Sequence, residues 1–97
     1  MGLVFHRLIQ KDLRSVLRYY EEEVGPELAR QFYDEFERVI EAVAENPRRF
    51  HMVTESLRRA NFRRFPYHIL YRETSAGLRV LVLRHHRRDP RYGLGRR

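Results

Sequence analysis

LVFHRL, Leu3–Leu8, places Leu3 and Phe5 on alternate positions and marks a short strand. From Lys11 the period lengthens: Leu13, Val16, Leu17 and Tyr20 follow the i, i+3, i+4, i+7 spacing of an amphipathic helix. Gly25-Pro26 interrupts it, because glycine tolerates a left-handed helix stop and proline suits the first turn of a new helix. Leu28, Phe32, Phe36, Val39 and Val43 form the stripe of that second helix, flanked by Tyr33 and Ile40. Glu27, Asp34, Glu35, Glu37 and Glu41 fall largely outside the stripe. Asn46-Pro47 ends the helix, since proline disfavours helical geometry in the residue before it. Residues 48–56 read as a loop. Leu57–Phe65, Pro66–Glu73 and Leu78–His85 are then rich in aromatic and branched residues, with Ser75-Ala76-Gly77 as a hairpin turn between the last two. Tyr67, Ile69 and Tyr71 share one face of the middle strand and His68 and Leu70 the other, as a central strand requires.

The order β-α-α-β-β-β predicts an α+β domain, a helical hairpin packed on one face of a mostly antiparallel four-stranded sheet. Two helices cover one face only. The opposite face, and the end where the last strand runs out, are expected to stay open to a partner. A chain of 97 residues has room for one core, so residues 1–97 are read as a single domain, with about 93–97 as a loosely held tail. No repeat or linker breaks it.

Composition narrows the chemistry. The absence of cysteine excludes disulfides, thiolate chemistry and a Cys-ligated zinc site. No apolar run approaches the roughly 18 residues of a membrane span, and MGLVFHRLIQ lacks the apolar stretch of a signal peptide, so a soluble cytoplasmic protein is expected. Residues 1–47 carry six Arg or Lys against ten acids, and residues 48–97 carry fourteen Arg against three, balances of −4 and +11 within the net +7. That split predicts a cationic surface facing a polyanion or an acidic partner. Nineteen of the twenty cations are Arg. Its planar fork suits phosphate and carboxylate, although a GC-rich genome would also favour Arg over Lys without explaining the asymmetry.

The charge concentrates in RHHRRDPRY, Arg84–Tyr92, directly after the apolar LRVLVL. Arg58, Arg59, Arg63 and Arg64, with Arg84, Arg87, Arg88 and Arg91, are candidates for one partner-binding surface, since adjacent strands lie about 4.8 Å apart. Alternation separates Arg63 from Arg64, and solvated strand edges are the plainer reading of each arginine alone. His85 and His86 point to opposite faces and cannot chelate one ion as a pair. Without an acidic ligand set, no metal is expected. Either imidazole is a candidate general acid or base, against a plain strand-end histidine. Tyr92 is a candidate proton donor or base-stacking ring, against a role packing the tail. His68, mid-strand, reads as structural. No glycine-rich phosphate loop, nucleophile elbow or acid pair occurs in the basic half, so no cofactor is expected and a nuclease here would need metal-free chemistry. RNA permits that through its 2′-hydroxyl, with cations stabilising the phosphorane.

Three segments in order carry a family likeness: DLRSVLRYYEEEVGPELARQFYDEFERVIEAVAENP, SLRRANFRRFPYHILYRE and LRVLVLRHHRRDPRYG. The chain resembles the RelE/ParE superfamily of toxins from bacterial type II toxin–antitoxin modules. Its YYEEEVG helix end, FPY strand and HxRRDP ending are closer to the ParE branch. Likeness to ParE implies a toxin that poisons DNA gyrase through a protein interface. Likeness to RelE implies a ribosome-dependent mRNA endonuclease, with catalytic roles falling on Arg64, Arg87 and Tyr92 and His85 as a further candidate. Arg58, Arg63, Arg84, His86, Arg88 and Arg91 would then serve target or partner binding. The RelE pattern places an arginine where this chain has His68, and its lysine pair is not reproduced. Either branch implies a cognate antitoxin, whose acidic, partly disordered segment wraps the toxin in a groove and against a sheet edge.

Overall fold

The computed structural model describes residues 2–97. Strand β1 (Leu3–Phe5) leads into α1 (Ile9–Glu23) and α2 (Pro26–Glu45), followed by β2 (His51–Met52), β3 (Arg58–Asn61), β4 (Tyr67–Thr74) and β5 (Gly77–His85). The sheet runs β1-β5-β4-β3-β2, with β1 parallel to β5 and the other pairs antiparallel. The expected α+β arrangement therefore holds, with one addition. His51 and Met52, within the expected loop, pair with Arg59 and Arg58 and extend four strands to five.

Gly25 stops α1 as expected. Its φ of 146° lies in the region reserved for glycine, its N–H and that of Val24 both donate to the Tyr20 carbonyl, and Pro26 opens α2. The helices pack on one side of the sheet. Phe32, with no solvent exposure, lies 5.0–5.1 Å from the rings of Phe62, Phe65 and Tyr67. Ile69, Tyr71, Leu78, Val80 and Leu83 complete the sheet's contribution to this core.

Simple alternation from Leu78 and Val80 would send Arg84 toward the helices. A bulge prevents this: Tyr71 pairs with Val80 and Leu70 with Val82, leaving Leu81 as the extra residue. Beyond it Leu83 turns into the core, and Arg84, beside His68, turns away from the helices. The bulge thus sets the chemistry of the helix-free face. Arg59, Arg72, Arg79 and Arg84 stand there with Asn61, His68, Leu70 and Val82, and no acid from β3, β4 or β5 joins them.

The C-terminal segment departs from the expected loose tail. Arg96 donates to both Asp12 oxygens, Nη1 to Oδ2 at 2.6 Å and Nη2 to Oδ1 at 2.9 Å, with both side chains at most one-tenth exposed. β1 is too short to cover β5 beyond Val80, and this pair finishes the edge: Leu83 N–H donates to Asp12 at 3.1 Å and Arg96 to the Leu81 carbonyl at 3.0 Å. Gly93 lies against Val82, where a Cβ would come within 2.6 Å of a methyl. The expectation that the exit of β5 stays wholly open is corrected accordingly: the chain's own tail lies along it.

Candidate functional site

Three histidines end β5 or sit beside its end, and the hydrogen bonds fix their tautomers. Arg84 Nε can only donate, so His68 Nε2, 2.9 Å away, must accept. The proton of neutral His68 is then on Nδ1, which donates to His86 Nδ1 at 2.9 Å. His86 Nδ1 also accepts from Arg59 Nη2 at 3.1 Å, leaving the His86 proton on Nε2. The two rings are nearly parallel, 14° apart. Burial, and then the Arg59 and Arg84 charges, hold His68 down to about 3. Burial and Arg59 also lower His86. On the other side of the strand His85 stands edge-on to Tyr67, and its Nδ1 accepts the Arg87 N–H at 2.9 Å. Each of these imidazoles has a lone pair already engaged. The cluster is rich in donors and has no free nitrogen to take a proton.

The other sequence candidates are distributed around this centre. Arg59, Arg84 and His86 come together on the helix-free face. Arg58 turns to the helix side, where it donates to the Phe50 and Arg48 carbonyls at 2.7 and 3.1 Å and braces the chain before β2. Arg63 and Arg64 occupy the β3–β4 turn, whose backbone N–H groups donate to the Glu35 carboxylate, Arg64 at 3.1 Å. Glu35, expected outside the α2 stripe, is buried for this reason. The Arg64 side chain reaches Gln31 on α2 at 2.9 Å. Arg88 lies 4.0 Å above the Tyr92 ring. Arg91 pairs with Asp89 at 3.2 Å, both exposed. Tyr92 donates to Asp12 at 3.1 Å and accepts from Arg96 at 3.2 Å, which commits the phenol to the tail anchor. Arg64 and Tyr92 line different cavities, so the structure does not gather Arg64, Arg87, Tyr92 and His85 around one point.

Two grooves flank the cluster. One of about 540 Å³ lies between α2 and the β3 edge, with Val39, Ala42 and Phe50 as apolar surface and Arg38, Arg49, Arg63 and Arg64 around it. The other, about 440 Å³, lies between α1 and the end of β5 and includes Lys11, Tyr19, His85 and Arg88. No group of three or more His, Cys, Asp or Glu suited to a metal ion occurs among the described residues.

Asp12, Glu35 and Arg96 were not foreseen as organising residues. A signal existed for the first two. Asp12 falls in step with Ile9 and Val16, and Glu35 with Phe32 and Val39, so each acid occupies an otherwise apolar stripe. Arg96 gives no such sign, because its partner is 84 residues away in sequence.

A sequence model described as the ParE toxin of type II toxin–antitoxin systems, parDE, matches residues 3–90. No curated protein matches. Among solved structures, the fold is similar to a chain of the chromosomal ParDE toxin–antitoxin system from P. aeruginosa. The TM-score is 0.78 at 17% identity, over 88% of this chain and 95% of that one.

Proposed function

Because the chain belongs to the ParE toxin family of type II toxin–antitoxin systems, we propose that it halts growth by binding and poisoning DNA gyrase, with no chemistry of its own. Family likeness points to gyrase. The observation that supports binding rather than catalysis is the engaged lone pair on each of His68, His85 and His86. A general base must be able to accept a proton from its substrate, and these rings accept from Arg84, His68, Arg59 and the Arg87 N–H instead. A ribosome-dependent endonuclease using Arg64, Arg87, Tyr92 and His85 would need them around one phosphodiester. Here Arg64 faces α2 and Tyr92 is tied to Asp12.

Membership of such a system implies a cognate antitoxin. Its acidic, partly disordered segment wraps the toxin and lies in the α2–β3 groove, where four arginines surround apolar floor residues. Asn61 lines this groove, and β2 pairs only Arg58 and Arg59 of β3, so the bare edge at Ala60 and Asn61 accepts an added strand. A gyrase poison acts in the cytoplasm, and no helix among the described residues is long and apolar enough to cross a membrane.

Purified gyrase tests the reading. The chain should inhibit supercoiling and cause cleaved DNA to accumulate, and the antitoxin should reverse both effects. Gyrase that works normally at excess toxin removes the proposal. Cleavage of translated mRNA that Arg87→Ala or Tyr92→Ala abolishes would put the endonuclease in its place.

A further inference from the structure

Arg59 and Arg84 stand on either side of β4, with the His68–His86 pair between them. Strand spacing sets their backbones roughly 10 Å apart, and both side chains lean onto the pair. Every acceptor they have is neutral. Arg59 donates to Asn61 Oδ1 at 2.7 Å and to His86 Nδ1 at 3.1 Å. Arg84 donates to His68 Nε2 at 2.9 Å and to the Pro90 and Tyr92 carbonyls at 2.7 and 3.0 Å. Neither joins an ion pair among the described residues. Asp89, whose charge reaches Arg84, is itself held by Arg91. Arg72 and Arg79 face each other across the same surface, a like-charge pairing that disfavours the sheet when nothing offsets it.

Two partly buried guanidinium groups and the His86 ring N–H therefore share one cluster on the helix-free face without a negative counterpart. We propose that Arg59, Arg84 and the Nε2–H of His86 form a receptor for a phosphate group, and that in the gyrase complex this group belongs to the backbone of the bound DNA. The second half rests on the gyrase reading above; the first does not. The spread of the donors favours phosphate over carboxylate. One guanidinium fork satisfies both oxygens of a planar carboxylate, whereas a DNA backbone phosphate is a tetrahedral diester whose two charged oxygens point in different directions and can accept from donors carried on separate strands. The tautomer sequence matters here because it makes His86 a donor at its free nitrogen. The acid-free surface continuing to Arg72 and Arg79 suits further phosphates of the same strand.

The full chain is titrated with inorganic phosphate while the side-chain N–H signals of Arg59, Arg84 and His86 are followed by NMR. Saturable shifts on these three are expected, with none from acetate at equal ionic strength. They should vanish in Arg59→Gln and partly return in Arg59→Lys. Arg59 is only partly buried and its two side-chain bonds, to Asn61 and His86, lie at the surface, so both variants should fold, as amide spectra will verify. Acetate acting as strongly as phosphate, or an unaltered titration in Arg59→Gln, overturns the receptor. A duplex DNA titration then tests the source. Removing one phosphate contact should lower the slope of log affinity against log salt by about 1, and an unchanged slope removes the DNA assignment. Gyrase separates the two proposals. Equal poisoning by the parent chain and Arg59→Gln ends the role of the receptor in the complex and leaves the gyrase reading intact. Gyrase indifferent to the parent chain, with phosphate still bound, does the reverse.

Discussion

Asp12 occupies a position on α1 that Ile9 and Val16 would give to an apolar side chain, yet its carboxylate is almost wholly buried. It remains there because it accepts from Leu83 N–H, Tyr92 and both Arg96 η-nitrogens. Arg96 in turn is held more firmly protonated by that carboxylate. Removing one member of a buried pair leaves the other charge uncompensated, so Arg96→Ala should cost about 3–5 kcal/mol. Urea unfolding will measure it, and Asp12→Asn combined with Arg96→Gln should cost less than the two single changes together. An additive result would mean the pair is not coupled. A second prediction concerns His68. Its folded pKa, about 3, lies below the ordinary histidine value of 6.5, so below pH 6.5 the unfolded chain binds a proton that the folded chain refuses. Stability from this residue is fully present above pH 6.5 and falls as the pH drops toward 3, by roughly 1.4 kcal/mol per pH unit through most of that window. The lowered pKa of His86 acts with the same sign. Urea midpoints at pH 7.5, 6.5, 5.5 and 4.5 should decline accordingly, and His68→Gln should flatten the decline. Equal slopes in both chains would show that groups other than His68 drive it.

Among the elements, the helical hairpin was readable because 3.6-residue spacing and the Gly25-Pro26 punctuation agree with each other. The strands were readable as segments, but their faces were not. Which way Arg84 points depends on a bulge at Leu81, and Val80-Leu81-Val82 carries no glycine or charge to mark it. β2 was missed because two exposed residues offer no alternation to detect. Of the site, the cationic residues were legible and their grouping was not. Arg58 and Arg59 differ in face by one position, and only the pairing with β4 decides between them. Gly77 was read as a turn residue, and the structure adds a further demand on it. Its φ is 129°, and an added Cβ would collide with the Gly2 carbonyl that receives Leu78 N–H at 2.7 Å. Gly77→Ala should therefore strain the hairpin and loosen β1, costing about 1–3 kcal/mol, or some 4–20 °C in Tm for a domain of this size. Faster amide exchange at Leu78 and Val80 with an unaltered rate in α2 would locate the damage. Uniform loss of protection would place it in the core instead.

Across the whole molecule the sequence asymmetry becomes spatial. Nine of the ten acids in the first half lie on the two helices outside the tail anchor, while arginines crowd the sheet, its turns and the groove beside α2. A body charged in this way orients an approaching polyanion before contact, which raises the association rate more than it slows dissociation. For the cognate antitoxin the groove is the place to look for this effect, because Arg63 and Arg64 are exposed on a turn fixed by Glu35 and can be changed without disturbing its backbone bonds. Replacing both by alanine should slow association about tenfold at low salt and leave dissociation within a few-fold. Raising salt should erase the difference, since charges beyond about 8–10 Å are screened near physiological ionic strength. Stopped-flow association at several salt concentrations measures both quantities. If the double variant instead dissociates much faster at an unchanged association rate, these arginines form local contacts in the complex and the charge split does not steer it.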